Sequence, residues 1–441
     1  MRRVLPSFRR STIAATSLLI AAVFGPCYVT AEESPALSWR PGASFELGID
    51  SFSQIFRVTD DLTGSILDTE SSFRDTTDVF TEMRAAAEFS LDHEGDRVRS
   101  TVAARLSTGT ALDREGLEWD LRLRPTQRDR IDVDVDLQAR QFREDADFSL
   151  DSDNQEGRLR VQWRREGERW RYGLKLRSSL LRFDTRSIYE LDADRLDLST
   201  MLGWRDGWKH WADLEFGVGA KDVRDSTAIS YQHLFASADV GLALGERWRW
   251  QLRPTLERRV YEEAQVRQPF FDLSLDSQLE WKSSDDWRLR LKTPLEWLKP
   301  DENTTVYFDL FSGRVGLDLA RSKGAFEIGV EPRWSWLQSS LAVEDAYSQP
   351  SVLVHLDYFA SERWWVSVSE EIGDRRYAQD TADGLDLYSD YTFLRTSLLG
   401  GLRLTEHVAF EFFLSDEPES HRRDSDDSRL TLVSASIRAS I

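Results

Sequence analysis

The sequence has very little cysteine and no long apolar segment in its body. One Cys among 441 residues excludes a disulfide framework and any zinc or iron–sulfur site built from cysteines. Beyond the N-terminal region, no apolar run reaches the roughly 18 residues that a membrane-spanning helix needs. Basic residues are also in deficit, 57 against 77 acidic ones. The resulting net charge of −20 argues against nucleic-acid binding, because a protein neutralises phosphates with a basic surface.

Residues 1–31 have the three parts of a secretory signal peptide. Four arginines form the positive region, residues 13–24 are apolar, and residues 29–31 (VTA) give the small-x-small cleavage pattern. The alternatives are a retained membrane anchor and a lipoprotein modified at Cys27, which Pro26 disfavours. Cleavage would remove the only cysteine, and a cysteine-free chain suits a thiol-oxidising compartment such as a bacterial periplasm or outer membrane.

The body of the chain alternates apolar and polar residues with a period of two. In residues 131–140 (IDVDVDLQAR) one face is apolar and the other is polar, the pattern of a strand with one buried face. Helical spacing would scatter the apolar residues around the axis, so the pattern predicts an all-β fold. The alternation recurs in residues 117–123, 159–163, 248–252, 271–275 and 287–291.

Connections of two lengths separate these strands in strict alternation. Nine short turns and ten longer polar loops predict about twenty strands, with both chain ends on the short-turn side. The four longest acidic loops hold 21 acidic and 3 basic residues and cover 58–77, 144–156, 378–390 and 416–427. We therefore expect a closed antiparallel transmembrane β-barrel with short periplasmic turns and longer acidic extracellular loops. The expected organisation is a signal peptide (1–31), a short periplasmic segment (32–42) and the barrel (43–441).

Tryptophans cluster beside the short turns. Tryptophan prefers a membrane–water interface, where the ring lies in the apolar layer and the N–H stays wet, so the clusters predict an aromatic girdle at the periplasmic rim. The alternative is ordinary hairpin packing in a soluble sheet. The tryptophans concerned are Trp163, Trp170, Trp204, Trp208, Trp211, Trp248, Trp250, Trp281, Trp287, Trp364 and Trp365.

Basic side chains concentrate on the polar face of a few strands. Such residues face each other across predicted hairpins, and like charges directly opposite on paired strands are destabilising, so something must neutralise them. The neighbouring acids Asp132, Asp134, Asp136 and Asp197 would give a structural salt-bridge lining. The alternative is a lining that also binds anionic solutes. The candidate solute-binding residues are Arg158, Arg160, Arg164, Arg171, Lys175, Arg177, Arg249, Arg253, Arg288, Arg290 and Lys292.

Motifs for enzymatic chemistry are missing from the sequence. It has no phosphate-binding glycine loop, no HExxH and no GxSxG elbow, so we expect no enzymatic activity and no cofactor. His355 and Asp357 share the polar face of one strand, where a structural hydrogen bond is the ordinary role. Residues 151–155 resemble the start of a calcium loop, but Glu156 stands where that loop needs glycine. We therefore expect no resident metal.

The mature chain resembles porin-like bacterial outer-membrane β-barrels, and among them the barrel porins found beside exopolysaccharide-export genes. The resemblance rests on the first strand (43–57), the polar loop after it, the second strand (78–92) and the terminal segment 428–441. In such barrels the last strand usually ends in an aromatic residue that the assembly machinery reads. Here the final residue is Ile441, which departs from that pattern.

Four functional hypotheses follow from the sequence. The first is a passive channel for small hydrophilic or anionic solutes in the cell outer membrane. The others are an export conduit for an anionic exopolysaccharide, a non-conducting structural or assembly barrel, and a soluble secreted β-protein. Only about a dozen residues precede the first expected strand, so we expect no plug domain. The expected partners are outer-membrane lipid, lipopolysaccharide, the barrel-assembly machinery and an anionic solute or polysaccharide, with no nucleic acid.

Overall fold

Twenty antiparallel β-strands make up nearly all of the described chain. The computed structural model describes residues 39–59, 73–110, 112–142, 153–184, 191–207, 209–224, 226–264, 266–283, 286–303, 309–339, 346–361, 363–378, 390–422 and 427–440. The expected signal peptide (1–31), most of segment 32–42, Trp208 and Ile441 lie outside these ranges. No helix within them has both the length and the hydropathy of a membrane-spanning helix.

Most strands are 12 to 15 residues long, and the first two are longer. The bounds are β1 Trp39–Thr59, β2 Phe73–Glu94, β3 Val98–Gly109, β4 Leu112–Leu123, β5 Asp129–Phe142, β6 Asn154–Glu166, β7 Trp170–Phe183, β8 Ala193–Asp206, β9 His210–Val223, β10 Tyr231–Ala243, β11 Trp248–Tyr261, β12 Phe270–Lys282, β13 Trp287–Pro300, β14 Leu310–Lys323, β15 Phe326–Ser339, β16 Tyr347–Ser361, β17 Trp364–Tyr377, β18 Tyr391–Arg403, β19 Val408–His421 and β20 Ser428–Ser440. A single turn of 3-10 helix, Thr227–Ile229, precedes β10.

Each strand pairs with the next along the chain, and the last pairs with the first. β1 pairs antiparallel with both β2 and β20, with Phe45 opposite Ala439 and Phe56 opposite Ser428. The sheet is therefore a closed barrel with no free edge along the β1–β20 seam, and the predicted fold class and strand number are confirmed. Closure satisfies the backbone polar groups within the sheet, as hydrocarbon surroundings require.

The alternation of short and long connections holds everywhere except between β3 and β4, and one strand end also differs from the prediction. Strand β4 begins at Leu112, so the loop expected at 110–115 is only a two-residue connection between β3 and β4. Strand β19 runs on to His421, so Asp416, Glu417 and Glu419 belong to the wall rather than to a loop. Arginines on neighbouring strands bind their carboxylates, so the strand pairing of β19 continues through this acidic segment.

Left-handed backbone conformations occur in the short turns that the sequence predicted. Gly207 and Gly324 each have a φ of 61°, which glycine adopts without the steric penalty of a Cβ. Asp286 has a φ of 64°, a conformation that a short polar side chain tolerates better than most residues do. These turns define the short-turn end of the barrel, and the longer connections define its long-loop end.

The two faces of the wall have the opposite burial pattern from that of a soluble protein. On β8, Leu196 and Leu198 are 54% and 51% exposed, whereas Asp197 and Ser199, which alternate with them, are 5% and 4% exposed. Apolar side chains thus cover the exterior and polar side chains crowd the interior. Exposed apolar surface on this scale is rare on soluble monomers and is expected for a barrel whose exterior contacts lipid.

Aromatic side chains on the exterior form the expected belt at the short-turn end. Trp170, Trp248, Trp287 and Trp364 all point outward and are exposed. At the long-loop end, Trp297, Phe311, Trp334 and Trp336 lie on the exterior of β13–β15 as a second aromatic group, which the sequence did not predict.

Two tryptophans assigned to the belt instead point inward. Trp211 and Trp365 lie on the inner face, where their rings cover Gly241 and Gly401 on the neighbouring strands. Their assignment to the exterior was wrong, because a position next to a turn does not determine which face a side chain occupies.

Candidate functional site: the charged lumenal wall

All eleven candidate basic residues lie on the inner face of the barrel. Each alternates with outward-pointing apolar residues on its strand, such as Leu174 on β7 and Leu291 on β13. Nine of them form two groups separated by strands β8 to β11, and the other two lie on β11. The first wall comprises Arg158, Arg160 and Arg164 on β6 and Arg171, Lys175 and Arg177 on β7. The second wall comprises Arg288, Arg290 and Lys292 on β13 with the carboxylates of Glu280, Asp318, Glu327 and Glu331.

Acids on β5 neutralise two of the three arginines of β6. The Arg164 Nη2 atom lies 2.8 Å from Asp132 Oδ2, and Arg160 pairs with Asp134. These two partners were predicted. Asp136, the third predicted acid, accepts hydrogen bonds from the Gln138 amide instead. Arg158 pairs with Glu156 on its own strand, at 2.6 Å.

The bases of β7 find their acids two strands away, on β9. Lys175 Nζ lies 3.0 Å and Arg177 Nη2 3.4 Å from Glu215, and Arg171 Nε lies 2.9 Å from Asp213. They reach across β8 because the residues opposite Arg171 and Lys175 are Gly203 and Ser199.

Asp197, the acid expected to neutralise β7, has other partners. It lies opposite Arg177 in the register, but its carboxylate is 3.0 Å from Arg195 and 2.9 Å from His233. Its expected role was therefore wrong. The alternating pair Asp213-x-Glu215 on the polar face of β9 was the sequence signal for the acids that do neutralise β7.

Across the β6–β7 hairpin, direct opposition of like charges is limited to one pair, Arg160 opposite Arg177. The other four bases of the wall face neutral or acidic residues across the β6–β7 hairpin. The acids on β5 and β9 approach the arginine pair from opposite sides. The repulsion inferred from the sequence is thus mostly avoided by register, and neutralised where it remains.

A recess of about 470 Å³ opens over this wall. Its β4–β5 side carries acids, with Asp120 directly opposite Asp134 and Glu118 directly opposite Asp136. The opposite side carries Arg158, Arg160, Arg177 and Arg195. The recess therefore presents both signs of charge to the lumen, separated along the wall.

The second wall is a tighter ionic network. The Asp318 carboxylate, only 2% exposed, lies 3.6 Å from both Arg288 and Arg290 and 3.7 Å from Lys292. Each of these bases has a second acid closer by: Glu327 at 2.6 Å from Arg288, Glu280 at 2.8 Å from Arg290 and Glu331 at 2.6 Å from Lys292.

The two remaining candidate residues lie on β11. The Arg249 guanidinium lies 5.8 Å from the ring centroid of Trp211, within the range of a cation–π contact. Arg253 lies between Asp239 and Asp276, at 3.7 and 3.8 Å, and more than half of its side chain is exposed. Arg253 is therefore loosely paired and reachable from the lumen.

Two arginine–aromatic clusters near the long-loop end were not predicted. Arg375 packs between the rings of Tyr347 and Tyr391, at 4.3 and 5.2 Å, and Arg259 packs between Tyr231 and Phe270, at 4.4 and 4.9 Å. Each cluster joins three neighbouring strands near their long-loop ends. Tyrosines at the first position of β10, β16 and β18 were the available signal.

Comparison with known proteins supports the architecture and nothing finer. No family model and no curated protein matches the sequence. Among solved structures, the chain resembles the alcaligin outer-membrane receptor FauA from Bordetella pertussis, with a TM-score of 0.54 and 12% identity over 93% of this chain and 77% of that one. It also resembles the siderophore receptor PirA from Acinetobacter baumannii, with a TM-score of 0.55 and 7% identity over 92% of this chain and 81% of that one. The copper transporter OprC is similar as well, with a TM-score of 0.55 and 10% identity over 93% of this chain and 81% of that one. Identities this low show a shared barrel fold alone.

Proposed function

We propose that this chain is an outer-membrane barrel that lets small hydrophilic or anionic solutes pass through its charged lumen. The observation that carries the proposal is the orientation of the wall: exposed bases such as Arg158, Arg160 and Arg177 face inward, and exposed leucines face outward. Twenty strands enclose an interior wider than inward side chains alone fill, and rings of charge set selectivity in such pores.

The exterior supports contact with outer-membrane lipid and lipopolysaccharide. At the long-loop end, Arg258 and Arg429 point outward and pair with Asp301 and Asp416. The hydrogen bond from Arg258 lowers the pKa of Asp301, which follows the end of β13. Paired charges at this level, just outside the apolar band, suit a headgroup layer that contains both phosphates and cations.

Planar-bilayer recording tests the channel proposal. The full chain, inserted in a bilayer, is expected to give discrete conductance steps whose reversal potential in a salt gradient changes with Arg158→Gln. The matched control is Arg376→Gln, because Arg376 pairs with Asp374 two residues away, as Arg158 pairs with Glu156, but faces the exterior. Absence of conductance steps, or equal shifts in both variants, would contradict a lumenal role for the wall.

A non-conducting structural barrel is the second candidate, and the second wall favours it. Every base there touches two carboxylates, so that region is built for rigidity rather than for solute contact. Insertion into bilayers without conductance, together with loss of outer-membrane integrity on deletion, would support this candidate over the channel.

An export conduit for an anionic exopolysaccharide is the finer alternative. A polyanionic chain would move through the lumen along the exposed arginines of the first wall, since its acidic groups can exchange readily from one singly paired arginine to the next. Deletion of the gene should then abolish surface polysaccharide, and the Arg158→Gln/Arg160→Gln/Arg177→Gln variant should reduce it. Normal surface polysaccharide after deletion would remove this alternative and leave the small-solute proposal standing.

A further inference from the structure

Three potential metal ligands converge on the inner face of β15 and β16, near the short-turn end. Glu327 lies directly opposite Asp357 in the register, and His355 lies two residues before Asp357 on the same face. One donor atom from each of the three side chains lies within 4.8 Å of the others, and His355 Nε2 is 3.8 Å from Glu327 Oε1. The hairpin register therefore brings a nitrogen and two carboxylate oxygens together.

Neighbouring residues hold each ligand in place. Gly329 lies opposite His355, and a Cβ at that position would collide with the imidazole, so the glycine is what lets the ring lie across β15. The Ser322 hydroxyl donates to Glu327 at 2.7 Å, and the Ser367 hydroxyl donates to Asp357 at 2.5 Å. Outer hydrogen bonds of this kind orient metal ligands and support affinity.

We propose that Glu327, His355 and Asp357 form a lumenal site for a divalent transition-metal ion such as Zn²⁺ or Cu²⁺. One imidazole and two carboxylates suit these ions, with water completing the coordination. Ligand atoms bind at about 2.0–2.2 Å from such an ion. The three side chains would therefore draw together by small rotamer adjustments, which partial exposure of His355 and Glu327 permits. The site is independent of whether the barrel conducts.

A second lumenal histidine, His233, shows what distinguishes this site. His233 also lies over a glycine, Gly219, and also has two acidic neighbours. Its Nε2 is 2.9 Å from Asp197 and its Nδ1 is 3.2 Å from Glu257, so the acids approach different ring nitrogens. An imidazole held between two acids in this way cannot share one ion with both of them. His233 is also almost fully buried, which makes it the natural control.

Arg288 modulates the proposed site. Its guanidinium engages both oxygens of Glu327, at 2.6 and 3.2 Å. A bound ion would share Glu327 with this positive charge, which lowers affinity. Neutralising Arg288 should therefore tighten metal binding, an effect that an unrelated surface site would not display.

Titration of the untagged full chain in detergent with Zn²⁺, followed by calorimetry, tests the proposal. One high-affinity site is expected, weakened by at least about tenfold in His355→Ala and in Asp357→Asn. It should be unchanged in His233→Ala and tightened in Arg288→Gln. Electron paramagnetic resonance of bound Cu²⁺ should show nitrogen coupling that His355→Ala removes and His233→Ala retains.

Heat-modifiable gel migration establishes that each variant is folded before titration. If the unaltered chain binds no Zn²⁺, or if folded His355→Ala binds it as tightly as the unaltered chain does, the proposal is overturned. Loss of binding in His233→Ala with retention in His355→Ala would overturn it equally.

Discussion

The first wall has six bases and the second wall has three, and the two walls differ in how many acids each base contacts. On the first wall most bases have a single acid, and Arg160 and Arg158 remain 53% and 57% exposed. On the second wall each base touches two carboxylates, and Arg288 and Arg290 are only 20% and 23% exposed. The exposed bases are singly paired, but single pairing does not ensure exposure, because Lys175, which also pairs with one acid, is only 11% exposed.

The difference also has an energetic consequence. A buried carboxylate such as Glu331, 1% exposed, is tolerable only while its cations surround it, because an uncompensated buried charge is costly. An exposed pair is screened by water and contributes little. We therefore expect the second wall to carry stability and the first wall to carry solute contact.

The largest expected effect is the loss of Glu331. Glu331→Ala leaves Lys292 and Arg333, which it holds at 2.6 and 2.8 Å, without this acid. Breaking a buried pair in this way costs about 3–5 kcal/mol. Urea unfolding of the barrel in lipid vesicles measures the free energy. A loss of stability below about 1 kcal/mol, which is typical of exposed ion pairs, would contradict the expectation that the second wall carries stability.

A smaller loss is expected from overfilling the second wall. In Gly316→Ala the new Cβ would meet the Glu331 carboxylate at 2.5 Å. Overpacking of this kind costs about 1–3 kcal/mol. Gly116→Ala on β4 is the control, because its Cβ would meet neighbours only at 3.8 Å or more. Equal unfolding curves for the two variants would show that the second wall accommodates an added methyl group without loss of stability.

Ion selectivity should respond to the first wall more than to the second. Arg158→Gln/Arg160→Gln/Arg177→Gln should lower the anion-to-cation permeability ratio, whereas Arg290→Gln should change it little. A unit charge 4 Å from an ion is worth about 1 kcal/mol in water, so the change should be about two- to fivefold. Reversal potentials in a salt gradient measure it. A larger shift in Arg290→Gln would reverse the assignment.

The smallest expected effect is that of Glu156→Gln. The pair that Glu156 makes with Arg158 is solvent-exposed on the arginine side, so stability should change by less than about 1 kcal/mol. Freeing Arg158 should at the same time raise anion selectivity. If Glu156→Gln instead unfolds at a markedly lower urea concentration than the unaltered chain, Glu156 contributes to stability as Glu331 is expected to do.

Much of the fold could be predicted because strand alternation is a local property. A segment such as residues 131–140 specifies one apolar and one polar face without reference to any partner. The ends of strands were less predictable: β19 absorbs Asp416, which looked like a loop residue, because Arg429 on β20 binds it. The inward orientation of Trp211 follows from the same alternation, because Trp211 lies on the face of Asp213 and Glu215, and Gly241 on β10 leaves room for its ring.

The candidate site could be predicted only as far as its strands and its face. The pairing of Arg160 with Asp134 follows from adjacency of β5 and β6, and was foreseen. The pairing of Lys175 with Glu215 spans β8 and depends on the small side chain of Ser199 between them. Acids on adjacent strands were thus predicted correctly for Asp132 and Asp134 but not for Asp136 and Asp197, and the acids two strands away were not predicted.

The sequence by itself determined the strand count, the alternation of short and long connections and the sorting of side chains into apolar and polar faces, because these depend on the period of two and on turn residues. Only the tertiary structure decided which charges are shared, which remain exposed and where His355 meets Glu327 and Asp357. Those outcomes depend on register and on gaps left by small residues, which fix distances between side chains far apart in the chain.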